Sequence, residues 1–222
     1  DSKDDYDGAG LHGVEGKSSV DRYYAIGLTY TNGPLNLAAV VDQTNFSTTK
    51  WNGVDWGNPV DDALTVTVGG NYDFQVVKLY AGAQYFDNAD LNSIDNIFSK
   101  DFALSPAQTE RFQVKGYGLT IGADIPAAGG TFKVATSYLD GTIDKVNGWD
   151  MATAIGATFG EIDISRWNTS AGYLYSLSKR TSLYGVASYS YQTVKGQKDF
   201  NGYSLDVAPT VIEVAAGIVH KF

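Results

Sequence analysis

Several residue types are scarce or absent in this sequence, and each absence narrows the possible functions. The 222 residues include no cysteine, which removes disulfide frameworks and thiolate chemistry. The two histidines, His12 and His220, lie far apart, so they suit neither a transition-metal cluster nor a general base held beside a nucleophile. The carboxylates show no spacing typical of a glycosidase pair. These absences argue against an enzyme and predict neither a metal site nor a cofactor.

Positive charge is also in the minority. The chain has 16 lysines and arginines against 25 acidic residues, which gives a net charge of −9. Such a chain has little with which to neutralise phosphates, so nucleic acid is excluded as a partner. Acidic residues gather in predicted loops and at strand ends: Asp1, Asp4, Asp5, Asp7, Asp61, Asp62, Asp140 and Asp144. No glutamate follows the first four at the spacing of a calcium-binding loop, so we interpret all of them as solvated.

Long hydrophobic runs are missing as well. No segment approaches the roughly 18 apolar residues that a transmembrane helix needs, and the mean hydropathy is −0.18. A membrane protein built from β-strands is still compatible with both observations, because barrel strands alternate lipid-facing and lumen-facing side chains and the average cancels. The polar start Asp1–Asp5 is no signal peptide, so an exported chain is mature or incomplete at this point.

What the sequence does contain is a repeated two-residue period. In residues 62–72, for example, Leu64, Val66 and Val68 alternate with threonine and glycine. Such alternation is typical of strands with one apolar face. The last of these strands ends on Phe222, whose ring continues the apolar face of that strand. Nine strands are predicted, at residues 20–30, 35–42, 62–72, 76–86, 111–124, 131–140, 166–175, 181–192 and 209–222.

The connections between these strands alternate in length. Short connections lie at 31–34, 73–75, 125–130 and 176–180, and long ones at 43–61, 87–110, 141–165 and 193–208. Outer-membrane barrels sort their connections in this way, with short periplasmic turns and long extracellular loops. Tyrosines and phenylalanines also gather at strand ends, where the aromatic girdles of a barrel meet the lipid interface. The predicted fold is an all-β, antiparallel transmembrane β-barrel that forms a single domain over residues 1–222.

The predicted strand count does not close a barrel. If Phe222 lies at the periplasmic end, the direction of every strand follows, and residues 1–19 become the remnant of an extracellular loop. A bacterial outer-membrane barrel has an even number of strands, so the N-terminal part of the barrel is predicted to be missing. The alternative is a tenth strand at 151–159, which restores an even count but breaks the alternation of turns and loops.

Residues 171–184, which contain the turn Ser178-Lys179-Arg180-Thr181, and the chain end 216–222 are similar to the carboxyl-terminal part of Gram-negative general porins of the betaproteobacterial type. Residues 130–134 are a weaker match. The resemblance implies a sixteen-stranded barrel, usually a homotrimer, that lets small hydrophilic solutes and ions diffuse across the cell outer membrane. On this pattern the chain holds about the last nine strands, and the acidic constriction loop of the family lies upstream.

Charged side chains on the lumen side of such a channel would sort solutes by charge. The polar sides of the predicted strands carry Lys78, Lys133 and Arg166, which we interpret as a basic wall with small or neutral neighbours. Glu213 is the acidic residue that this interpretation places on the same side. The candidate pore-lining residues are Lys78, Gln84, Lys133, Arg166 and Glu213. The alternative is that the charges are merely solvated and that Glu213 forms a structural ion pair.

The remaining expectations concern the surroundings of the barrel. Lys179 and Arg180 belong to a periplasmic turn, where they contact lipid head groups or peptidoglycan, or only keep the turn soluble. The resemblance implies that Phe222 is an assembly signal for the barrel-assembly machinery. Outer-membrane lipid and lipopolysaccharide are the expected neighbours, with divalent ions bridging acidic loops to lipopolysaccharide as an open alternative. Two other functions stay open: a small non-conducting barrel for anchoring or adhesion, and a soluble β-sandwich binding domain.

Overall fold

A computed structural model describes residues 22–45, 50–51, 54–55, 61–90, 112–146, 149–150, 161–196 and 206–221. Antiparallel strands dominate these ranges. No helix within the ranges is long and apolar enough to cross a membrane. The nine predicted strands are confirmed: β1 Arg22–Asn32, β2 Leu35–Asn45, β5 Ala63–Asp73, β6 Lys78–Asp90, β7 Phe112–Ala127, β8 Gly130–Val146, β10 Ile162–Ser176, β11 Thr181–Gly196 and β13 Thr210–His220. Residues 1–19, the alternative strand at 151–159 and Phe222 lie outside the described residues.

Four two-residue strands lie in the long connections: β3 Lys50–Trp51, β4 Val54–Asp55, β9 Trp149–Asp150 and β12 Asp206–Val207. Strands β3 and β4 pair only with each other in the described part of the chain. Strand β9 pairs antiparallel with the loop end of β8, and β12 pairs with the loop end of β11. The long connections therefore contain short additional pairings that the sequence pattern did not reveal.

The long strands form one sheet in the order β1-β2-β5-β6-β7-β8-β10-β11-β13, and every neighbouring pair is antiparallel. Each long strand thus pairs with the long strands that precede and follow it in the sequence. Such a meander needs no crossover, and short hairpin turns suffice for every second connection. Within the described residues, β1 and β13 each pair with one long strand, so the sheet is open there.

The short connections are tight turns built by local chemistry. Gly33 and Gly129 have φ values of 56° and 79°, a region that glycine enters without steric cost. Ala128 precedes Gly129 with φ 50°, so both central residues of this hairpin are left-handed, as in a type I′ turn. In the turn after β10, the Ser178 hydroxyl accepts hydrogen bonds from the backbone N–H groups of Arg180 and Thr181 at 3.2 and 3.0 Å. The predicted alternation of short turns and long loops is confirmed.

Five strands, β2, β6, β8, β10 and β11, are longer than predicted at their loop ends. Strands β8, β10 and β11 comprise 17, 15 and 16 residues, whereas a tilted strand needs about 9–11 to cross a bilayer. The predicted loop at 141–165 therefore begins and ends inside strands β8 and β10. Backbone pairing continues there because the hydrogen bonds between strands do not require alternating side chains. Where the alternation stops, the sequence pattern no longer marks the strand.

The most buried side chains lie at this loop end. Phe86, Val114, Ile143, Ile164 and Val194 are at most 2% exposed, and the register places all five on one face of the sheet. Beside them, the side chain of Gln113 donates to the backbone carbonyl of Asp61 at 2.6 Å and accepts from its N–H at 3.0 Å. A buried amide satisfied in this way ties the segment before β5 to the irregular pairing at the start of β7.

Candidate functional site

The register divides the sheet into two chemically different faces. On the first, which we call the apolar face, large hydrophobic side chains are open to the surroundings: Leu28, Ile121 and Val214 are 76%, 60% and 78% exposed. The second, which we call the polar face, carries the alternate residues. From β5 to β11 its centre includes Thr67, Asn71, Gln84, Thr120, Ser137, Asn168, Ser170, Ser188 and Ser190. The first face is apolar at the centres of all nine long strands. The second face is polar at the centres of most of them, whereas on β13 it carries Val211 and Val219 beside Glu213.

Aromatic side chains form two bands on the apolar face. Near the loops, the ring of Tyr138 lies 6.4 Å from that of Tyr117 and 6.2 Å from that of Trp167, and Tyr85 and Tyr191 extend this band. Near the turns, a second band comprises Tyr30, Tyr72, Phe132, Tyr173 and Tyr175. In this band the Tyr173 hydroxyl lies 2.9 Å from each of the carbonyl oxygens of Ala127 and Ala128, to which it can donate. Paired aromatic bands around an apolar zone are the pattern of a lipid-facing barrel wall.

All five candidate pore-lining residues lie on the polar face. Their register partners show this directly: Lys78 faces Asp124, Gln84 faces Thr67, and Arg166 faces Gln192. Lys133 and Glu213 belong to the same face, and their partners there are Asp124 and Ser188. The structure therefore brings the five side chains onto one surface, spread over strands β6, β8, β10 and β13.

The neighbours of the lysines differ from the expectation. Asp73, Lys78, Asp124 and Lys133 occupy successive register positions on β5, β6, β7 and β8, so their charges alternate across four strands. We call these four residues the charge row. Because the row contains two carboxylates and two ammonium groups, its formal charge is zero. The predicted basic wall with neutral neighbours is thus wrong at Lys78 and Lys133, since a carboxylate separates the two lysines.

Asp124 is the centre of this row. Its Oδ2 atom lies 2.5 Å from the ammonium of Lys133 and accepts a hydrogen bond from the Tyr80 hydroxyl at 3.0 Å. The ammonium of Lys78 lies 5.4 Å from the centroid of the Tyr80 ring, within the range of a cation–π contact. The Asp124 and Lys133 side chains are 23% and 48% exposed, so the pair is partly open to the polar face. Ion pairing and ring contact together fix the positions of both lysines.

Glu213 also has different surroundings from those expected. It accepts a hydrogen bond from the Ser188 hydroxyl at 3.4 Å, and within the described residues no salt bridge is formed by its carboxylate. Nor is it the only acid on its face, because Asp42, Asp73 and Asp124 lie there too. Gln84 donates to the Thr67 hydroxyl at 3.0 Å. The polar face is therefore mixed in charge and rich in hydroxyl and amide groups.

Sequence reasoning missed Asp124, Asp73 and Tyr80 as candidates. A signal existed for Asp124: it and Lys133 stand at equal distances from the turn at residues 128–129 and so must pair across the hairpin. The predicted connection at 125–130 was too wide to show this, because Ile125–Ala127 still belong to β7.

The other predicted positions have simpler outcomes. Lys179 and Arg180 lie in the exposed turn between β10 and β11, as expected. His220 lies on the apolar face, with its Nδ1 atom 2.9 Å from the Thr181 hydroxyl. Over the ranges that the structure covers, no group of three or more histidine, cysteine, aspartate or glutamate side chains is arranged to hold a metal ion.

Comparison with known proteins places these features in a family. The family model described as Gram-negative porin matches residues 2–197. An outer membrane porin protein of Bordetella pertussis is 30% identical over 210 residues, which cover 93% of this chain and 48% of that relative. The solved structure of an anion-selective porin from Comamonas acidovorans aligns at a TM-score of 0.57 and 22% identity, covering 96% of this chain and 52% of that one. The chain thus spans about half the length of these relatives, and its sheet corresponds to part of a porin barrel wall.

Proposed function

Because this chain belongs to the Gram-negative porin family, we propose that its polar face lines a water-filled channel through which small hydrophilic solutes and ions diffuse across the outer membrane. The observation that supports this most directly is the separation of the two faces. A wall that exposes Leu28 or Val214 to water would be costly, since each buried apolar side chain gains about 1.5–3 kcal/mol on leaving water. Lipid on the apolar side removes this cost and leaves the polar side for water.

Lys78, Gln84, Lys133, Arg166 and Glu213 are proposed to line this channel. Their effect on solutes depends on their surroundings. Lys133 acts mainly as one half of its ion pair with Asp124, so its positive charge is largely compensated at the lumen surface. A lumen wall of this kind sorts solutes by the local pattern of charge more than by the net charge of the chain.

The same proposal predicts how the channel contacts the membrane, the periplasm and partner proteins. The two aromatic bands contact the interfacial regions of the membrane. The strand ends that extend beyond the band near the loops reach the lipopolysaccharide layer. Lys179 and Arg180 then face the periplasm from their turn. Assembly into a homotrimer, and recognition of Phe222 by the barrel-assembly machinery, are proposed from the family resemblance.

Planar-bilayer recording of the purified outer-membrane protein tests the channel. We expect stepwise insertion events whose current is ohmic and rises in proportion to the conductivity of the bathing salt, because ions cross a water-filled pore without dehydration. The same preparation after heat denaturation is the control. A correctly inserted protein that gives no current steps would contradict the proposal and favour a non-conducting barrel.

A further inference from the structure

The charge row lies beside a hollow on the polar face that the proposed function does not explain. The hollow has a volume of about 400 Å³. It is lined by the polar residues Tyr80, Thr120, Asp124, Lys133, Ser170 and Tyr184 together with apolar residues that include Ile121, Val134, Leu174 and Val186. Pockets for small molecules usually measure about 300–1,000 Å³, so this one is suited to a small solute. Glycines 122 and 172 contribute to its wall, and a Cβ atom at these positions would lie 3.0 and 2.9 Å from the carbonyl oxygens of Val134 and Gly185 on the neighbouring strands.

The Asp124–Lys133 pair retains unused hydrogen-bonding capacity toward this hollow. Both contacts of Asp124 use the same carboxylate oxygen, Oδ2, which leaves Oδ1 without a hydrogen-bond donor among the described residues. Lys133 has three ammonium protons and gives one to Asp124. A negatively charged hydrogen-bond acceptor and a positively charged hydrogen-bond donor therefore lie side by side, and each can form a further hydrogen bond to a ligand.

We propose that this hollow is a weak binding site for small zwitterionic solutes of the α-amino acid class. The carboxylate of the solute would contact the Lys133 ammonium, and its amino group would contact Asp124 Oδ1. The inference rests on the proposed channel function, because it requires solutes in the lumen. A simple anion would meet the Asp124 carboxylate and a simple cation the Lys133 ammonium, whereas a zwitterion aligned against the pair satisfies both charges.

The surrounding residues suit such a ligand. Tyr80 fixes the position of Asp124 by its hydrogen bond, and Lys78 is held over the Tyr80 ring, so the carboxylate does not need to reorganise when a solute arrives. Pre-organised groups of this kind reduce the cost of ordering side chains on binding. Partial exposure of the pair in turn keeps the binding weak and the exchange fast, which a diffusion channel requires.

Solute flux into proteoliposomes tests this inference. L-alanine and its uncharged isomer lactamide have the same mass and similar size, so they differ chiefly in charge separation. With the purified outer-membrane protein, we expect alanine flux to saturate with concentration and to exceed lactamide flux at low concentration, whereas lactamide flux stays linear.

Variants locate the effect. The double substitution Asp124→Asn/Lys133→Gln removes both charges and leaves polar side chains, the second somewhat shorter than lysine, and it should make alanine flux linear. Asp124→Asn alone leaves the Lys133 ammonium without its carboxylate partner. In this variant, lactate flux should saturate with concentration and alanine flux should become linear. Lys179→Gln removes a lysine from the exposed turn and should leave the saturation of alanine flux intact.

Two results overturn the inference in different ways. Equal, linear fluxes of alanine and lactamide through open channels would exclude the binding site and leave the channel function standing. Absence of flux for both solutes, together with absence of current steps, would overturn the channel function and this inference with it.

Discussion

At the scale of single residues, side-chain position followed from the two-residue period, but side-chain partners did not. The period placed Lys78, Gln84 and Lys133 on the polar face correctly, because a register slip of one residue would move an entire strand to the other face. The ion pair of Lys133 with Asp124 depends on which residues face each other across a hairpin. That information comes from the position of the turn, which the sequence pattern bounded too loosely.

Gly116 and Gly185 show how differently two glycines of the wall are constrained. A Cβ atom added to Gly116 would lie 2.6 Å from the Cα of Gly141 on β8, and still closer to the carbonyl oxygen of Asp140, whereas nothing lies within 4 Å of the corresponding position at Gly185. We expect Gly116→Ala to lower the free energy of unfolding by about 1–3 kcal/mol, because strands β7 and β8 must separate. Gly185→Ala is the matched control and should change it by less than about 0.5 kcal/mol.

Urea unfolding in lipid vesicles measures both variants. Equal stability losses at the two glycines would contradict the close approach of β7 and β8 at Gly116.

At the scale of the strand, the centres of the elements were predicted and their loop ends were not. In the centres, apolar and polar side chains alternate, as the proposed contact with lipid on one side and water on the other requires. At the loop ends the polar face carries Phe86, Val114 and Ile164, which bury one another, so both faces become apolar or mixed and the period disappears. The sequence pattern therefore predicted loops at the ends of β6, β8 and β10, although the backbones there are paired.

Leu119 and Thr120, adjacent near the middle of β7, test the assignment of the two faces. Leu119 lies on the apolar face and Thr120 on the polar face. We expect Leu119→Arg to lower the free energy of unfolding by about 2–4 kcal/mol, the cost of a cation near the bilayer midplane. Thr120→Arg, one residue away, keeps its charge in water and should leave stability nearly unchanged while reducing single-channel conductance.

Vesicle unfolding and bilayer recording together decide between these outcomes. If Thr120→Arg proved as destabilising as Leu119→Arg, the polar face would not be a water-lined surface.

At the scale of the whole molecule, the meander and the sorting of connections were readable from sequence because both repeat. Nine strands, each adding the same alternation and each joined by a turn or a loop in strict order, reinforce one another in a way that no single strand does. The additional pairings of β3 with β4 and of β12 with β11 occur once each, and they carry no periodic signal.

The absence of cysteine from the chain provides a test of the complete wall. Ser170 and Ala171 are adjacent on β10 and lie on the polar and apolar faces. In reconstituted protein, we expect Ser170→Cys to react rapidly with a charged, water-soluble thiol reagent and Ala171→Cys to react only with a lipid-soluble one. Similar labelling of both cysteines by the charged reagent would indicate that water reaches both faces.

The tight turns have a consequence for how such a wall can change over time. Pairing is fixed at residues 33–34 and 128–129, next to the turn, and it propagates from there toward the loops. An insertion in a long loop leaves the register of the strand pairs unchanged. A single residue inserted in a turn, by contrast, moves every side chain of the following strand to the opposite face. The loop end of the wall thus tolerates variation in length, whereas the length of each turn determines which side chains of the next strand lie on the polar face.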